Sequence, residues 1–287
     1  MLNFAQRNLN VFFRQKSAVF FSLLGVLIVI GLYLLFLGDV WISGMEGVPE
    51  ARSLMSSWII AGVVSITPVT TAMGAFQTMV DDRVNGSSRD FYAAPVKRWK
   101  LVGGYVLSAY LVALLMSLLA LVLGECYIVS CGGSLPGPGE LAKILLILPV
   151  STLSSSAMVF FLVTFFSSNS AFATASTVLG TLIGFITGIY LPVGNLPEAV
   201  QWVVKLFPVS HAGALLRQVM LVSPMEVSFA GAPEAMLTEF KSLMGVTYAY
   251  GDYTAGPALH LLVLVGSGAL FFLLAVWKVS RERKDAG

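Results

Sequence analysis

Six stretches of the chain are apolar for about twenty residues or more: 17–38, 57–79, 101–123, 142–166, 170–191 and 257–279. A helix rising 1.5 Å per residue needs about 20 such residues to cross about 30 Å of hydrocarbon. In lipid every backbone N–H and C=O must be paired within the protein, so a run of this length is read as a helix, and it is about twice what a barrel strand uses. The pattern predicts an all-α polytopic membrane protein with six transmembrane helices. Basic residues precede the first run, as in a signal peptide, but its length exceeds the apolar core of about 7–15 residues that such a peptide carries, and it is expected to remain as a span.

Polar positions between the spans predict further elements. In residues 1–16, Leu2, Ala5, Leu9, Phe12 and Phe13 fall on one helical face and Asn3, Arg7, Asn10 and Arg14 on another, although Phe4 and Val11 break the polar side. Such a helix lies in the membrane interface or serves as a simple flanking anchor. Segment 81–98 holds most of the polar material between spans, with Gly86 to close a turn, Ser87 and Asp90 at capping-box spacing, and Pro95 to stop a short helix after about two turns. Phe91 and Tyr92 give that helix an apolar tip, suited to a partner's groove or to the headgroups. After the fifth span, Pro192, Pro197 and Pro208 divide 192–221 into pieces of about 10–13 residues, too short to span and suited to two re-entrant or outer helices. The outer loop 222–256 includes Met236, Phe240 and Leu243 at helical spacing. Residues 280–287 form a basic tail. Pro68 and Pro149 lie inside spans, as hinges or as packing features.

Composition agrees with a bilayer protein: 57% of the 287 residues are hydrophobic and 11% charged, against about 25% charged in soluble domains. The placement of charge then orients the chain. With the N-terminus in the cytoplasm, 12 of the 17 Lys and Arg residues face that side, as the positive-inside rule requires. Six spans return the C-terminus to the cytoplasm. A net charge of +2 gives no support for a nucleic-acid role.

Two segments carry a family resemblance. Asp82, Arg83, Gly86, Pro95 and Arg98, with a short helix between them, resemble the cytoplasmic coupling segment of type-2 ATP-binding-cassette exporter permeases, with Val84 and the Phe91-Tyr92 pair departing from the usual pattern. Gly188, Pro192, Leu196, Pro197, Pro208, Leu216 and Arg217 resemble the motif that follows the fifth span in the same family. The resemblance implies a permease in the bacterial inner membrane with both termini cytoplasmic, working as a homodimer or with a homologous permease. It also implies a separate ATPase, present in two copies, that carries ATP and Mg and grips Asp82, Arg83, Gly86, Phe91, Tyr92, Pro95 and Arg98. The cargo implied is a hydrophobic or amphipathic compound, or alternatively a lipid-linked polysaccharide.

The chain has no G-x-x-x-x-G-K-S/T loop to hold nucleotide phosphates and no G-x-S-x-G elbow, so neither a cofactor nor catalysis is expected on this subunit. His211 and His260 stand alone in sequence, which disfavours a metal site. Cys126 and Cys131 are close enough in sequence to bridge in an oxidising compartment. No ionisable residue falls mid-span, with Glu125 near the outer end of the third, which argues against a proton-coupled carrier. The serines of 65–71 and 151–156 suit close helix contacts. A channel or a structural membrane protein is the remaining alternative.

Overall fold

A computed structural model describes residues 1–33, 35, 45, 48–93 and 96–281, with the backbone alone at Arg89, Tyr92, Ala93 and Arg98. Pro95, the side chains of Tyr92 and Arg98, the far end of the first expected span and the tail beyond Arg281 lie outside these residues.

The chain is almost wholly helical. In order, α1 is Leu2–Arg14, α2 Lys16–Leu32, α3 Ala51–Val84, α4 Ser87–Ala93, α5 Arg98–Ser130, α6 Pro138–Val163 and α7 Asn169–Ile186. A 3₁₀ turn at Val193–Asn195 leads to α8 (Glu198–Leu206), α9 (Pro208–Met220), α10 (Val222–Ser228) and α11 (Glu234–Leu243). A two-stranded hairpin, β1 (Ala249–Tyr250) against β2 (Tyr253–Thr254), precedes α12 (Pro257–Arg281). Among the described residues, α3, α5, α6, α7 and α12 are long and apolar enough to cross a membrane. The pairs α1–α2, bent by 74°, and α8–α9, bent by 85°, raise the possible number from five to seven.

Helix α3 is the axis of the bundle. It has 34 residues, about 50 Å at 1.5 Å per residue, and α2, α5, α6, α7 and α9 all pack on it. Its apolar window is 83% buried, against 17% for α7 and 22% for α12, whose outward faces are left to lipid or to another chain. Pro68 and Pro149 sit inside unbroken helices. Thr67 and Thr71 bond back to Val63 O and Thr67 O at 2.8 and 2.6 Å, satisfying their hydroxyls without a partner helix. Between α6 and α12, Ser154 Oγ meets Ser267 Oγ at 3.0 Å, and a Cβ at Gly268 would come within 3.2 Å of Ser154 Cα. Small residues bring these two backbones together where lipid supplies no hydrophobic force between helices.

The helix ends differ from the ends of the apolar runs. The helix that carries the second expected span continues past residue 79 to Val84, because a helix that outruns the hydrocarbon still satisfies its own backbone. Asp82 and Arg83 therefore belong to the last turn of α3 and not to a loop. The helix of the fifth expected span ends at Ile186, where Gly188 turns left-handed at φ +69° and the Ile189 N–H returns to Gly184 O at 2.9 Å, a glycine-dependent helix stop. Helices α8 and α9 are not equivalent, since α9 is buried along almost its whole length and α8 buries Val204 alone. Cys126, near the end of α5, and Cys131, just past it, are free thiols.

Candidate functional site

At one end of the bundle four elements meet around Asp82. The carboxylate accepts two hydrogen bonds from Arg7 of α1, at 2.5 and 2.9 Å, and a third from the Tyr105 hydroxyl of α5 at 2.6 Å. Bidentate geometry of this kind fixes orientation as well as supplying attraction. Above it, the Phe4 ring of α1 meets Phe91 of α4 edge-on at 5.2 Å and Tyr105 at 4.9 Å, and the Arg7 guanidinium lies 5.2 Å from the Phe91 ring centre. The Asp82 side chain is buried and that of Arg7 is 38% exposed. Arg83, on the other side of the same helix turn, donates to Phe166 O beyond α6 at 2.6 Å, and Lys278 of α12 sits over Phe165. Gly86, at φ +80° with open space where a side chain would stand, turns the chain from α3 into α4.

Of the residues expected to meet an ATPase, the structure thus brings Asp82 and Phe91 together but turns them inward. Asp82 is committed to Arg7 and Tyr105, and the Phe91 ring is met by Phe4 of the same chain. Sequence reasoning missed Phe4, Arg7 and Tyr105 as members of this junction. The signal available was Phe4, an aromatic residue on an otherwise polar helix face. On α1, Ala5, Asn8 and Phe12 are buried and Leu2 and Phe13 are exposed, with α1 packed on α5.

The opposite end is organised by Arg217 of α9, which has no exposed surface. Its guanidinium donates to Thr187 O and Gly188 O, both at 3.1 Å, and reaches Gly245 O at 3.5 Å. It also stacks 4.8 Å from the Trp58 ring centre, and Trp58 Nε1 donates to Met244 O at 2.7 Å. Glycine clears the space: a Cβ at Gly62 or at Gly245 would come within 3.2 Å of the guanidinium. One cation therefore joins α3, the end of α7, α9 and the loop after α11. Of the second motif, Gly188 and Arg217 meet here. Pro197 stands just before α8, Pro208 opens α9, and Pro192 and Leu196 flank the 3₁₀ turn.

His211 and His260 do not stand alone. Their Nδ1 atoms lie 2.7 Å apart, joining α9 to α12. His211 Nε2 faces Lys205 O at 2.9 Å and must carry the proton it donates there. Its Nδ1 is then the acceptor, and His260 Nδ1–H is the donor. Forty-nine residues of separation hid this contact from any spacing rule. No third His, Cys, Asp or Glu joins the pair among the described residues. Nearby, burial pushes the Tyr248 phenol up to about 12, with Arg217 pulling it down by less, so its hydroxyl remains a donor to Ser210 O at 3.1 Å. His260→Phe leaves the His211 acceptor empty and is expected to cost about 1–3 kcal/mol, with His260→Gln costing less. Thermal unfolding of the purified variants checks this, and a wild-type midpoint for His260→Phe would show that the pair carries no stability.

A search among curated proteins finds no match. The sequence model of the family described as "ABC-2 family transporter protein" matches residues 41–277, a region from before α3 to near the end of α12 that takes in α4, Arg217 and the histidine pair. The match covers well over half of the chain and the long apolar helices agree with it, and the chain therefore belongs to the ABC-2 transporter family, as a multi-pass membrane permease.

Proposed function

We propose that this permease is the membrane subunit of an exporter that moves a hydrophobic or amphipathic compound outward across a bacterial inner membrane, as a pair of permeases driven by two copies of a separate ATPase. The observation that carries the reading is the junction at Asp82. A push on α4 meets Phe91, passes to Phe4 and Arg7 of α1, and through Asp82 and Tyr105 reaches the ends of α3 and α5. Because α3 is the buried axis of the bundle, moving its end displaces the helices packed on it. Arg7, Arg83 and Lys278 gather at this same end, which favours it as the cytoplasmic side, with 81–98 reaching toward the ATPase and 192–221 outside.

The test uses the permease purified with its ATPase and reconstituted in liposomes. Gly86→Val forces a β-branched side chain into a left-handed backbone, and Phe91→Ala removes the ring that meets α1. Both are expected to insert normally and to retain ATP hydrolysis while losing at least about tenfold in cargo movement, roughly 1.4 kcal/mol of coupling. Wild-type transport by both variants, or labelling of Ser88→Cys only from outside an intact cell, would overturn the reading.

A further inference from the structure

About 30 Å along α5 from Tyr105, at the end of the bundle away from Asp82, a second carboxylate is buried under opposite circumstances. Glu125 is 9% exposed, and neither of its oxygens has a hydrogen-bond partner or contact with solvent. It lines a small cleft with Ser57 of α3, Ser134 of the α5–α6 loop, Glu140 of α6 and Ser223 of α10. No lysine or arginine lines this cleft. One oxygen of Glu140 accepts from the Gly137 N–H at 2.9 Å, which holds that carboxylate in place and leaves its other oxygen for a ligand. The free space, about 10 Å³, admits one particle of water size.

A carboxyl group with two orphaned oxygens in a protein interior either keeps its proton or takes a partner from outside the chain, because nothing in the fold offsets the lost hydration of the charged form. Two carboxylates and the hydroxyls of Ser57, Ser134 and Ser223 give the cleft an oxygen donor set, beside the apolar side chains of Ile128, Leu135 and Met220. We propose that this cleft binds a single calcium ion, held by Glu125 and Glu140. Calcium accepts irregular shells of oxygen at about 2.3–2.6 Å, whereas magnesium retains several waters and an octahedral shell for which the cleft has no room. The ion ties α5 to α3, α6 and the α9–α10 junction, and its charge matches the pair of carboxylates. Neither the reading of α4 nor the identity of the cargo enters this inference.

The experiment is thermal unfolding of the full-length protein in detergent micelles, followed by tryptophan fluorescence in EGTA and then with rising CaCl₂. A saturable rise in Tm is expected, with a midpoint near about 10⁻⁴–10⁻³ M as in extracellular calcium modules, and no comparable rise with MgCl₂, KCl or ethylammonium chloride. Glu125→Gln is expected to abolish the response. Glu140→Gln lies at a partly exposed helix start and keeps an acceptor for Gly137, so it folds and is expected to move the midpoint at least tenfold upward. The proposal is overturned if calcium gives wild-type protein no shift, if both variants respond with the wild-type midpoint, or if ethylammonium or potassium reproduces the effect, which would make the cleft a site for an organic ammonium group or a monovalent ion.

Discussion

Arg217→Ala is expected to destabilise the protein by about 3 kcal/mol or more and to lower its folded yield in the membrane. The substitution leaves Thr187 O and Gly188 O without donors, at a cost of about 1–3 kcal/mol for each buried group, and empties the space beside Trp58. Relief of the buried charge works the other way, since an ion held without a carboxylate has been desolvated at a cost of several kcal/mol. The orphaned carbonyls decide the balance, because Thr187, Gly188 and Arg217 are all buried away from bulk solvent. Arg217→Met separates the terms: it refills most of the volume but restores no donor, and it is expected to recover less than half of the loss. Arg217→Lys supplies donors from a single point that cannot reach carbonyls on both α7 and the loop after α11. Thermal midpoints of the three purified variants measure this ordering, and a wild-type midpoint for Arg217→Met would show that packing alone sustains the region.

The second large effect belongs to the other end. Asp82→Asn is expected to detach α1 from the bundle, because the neutral amide holds Arg7 less firmly and offers Tyr105 a single acceptor. Arg7 is partly exposed, so water screens the pair, and a coupling of about 1–2 kcal/mol is expected from a cycle with Arg7→Met. Limited trypsin digestion offers a local readout, since a released α1 exposes the bond after Arg14, which every variant of the cycle retains. Faster cleavage in Asp82→Asn than in wild type, with the double variant no faster than either single one, is the expected result. Additive stabilities with unchanged cleavage would remove Asp82 from the junction. Tyr105→Phe loses one hydrogen bond and is expected to produce a smaller change of about 1 kcal/mol.

The two ends differ in how their charges are satisfied, and each difference has a consequence. At Asp82 a partly exposed cation meets a carboxylate, so the contact is cheap to break and suits a part that moves. At Arg217 the cation meets carbonyls and an aromatic face under complete burial, so the contact is costly to disturb and suits a fixed frame. The histidine pair adds a neutral hydrogen bond between α9 and α12, in which one tautomer of each ring is selected by Lys205 O.

What the sequence by itself determined is the class of the protein and the rough course of its long helices. Uninterrupted apolar length is a local property, and in lipid it leaves the backbone no alternative to a helix. The resemblance at 81–98 and 192–221 was legible for the same reason, since turn residues such as Gly86, Gly188 and Pro208 act on their own backbone. The ends of α3 and α7 were less so, because a helix stops where its terminal groups find partners, and neither a bilayer boundary nor the return of Ile189 N–H to Gly184 O is written in hydropathy. The partners of Asp82, the burial of Arg217 without an acid, the meeting of His211 with His260 and the orphaned oxygens of Glu125 were decided by tertiary structure alone. Each depends on residues brought together from distant helices, and the spacing of residues along one chain carries no record of which helix faces will meet.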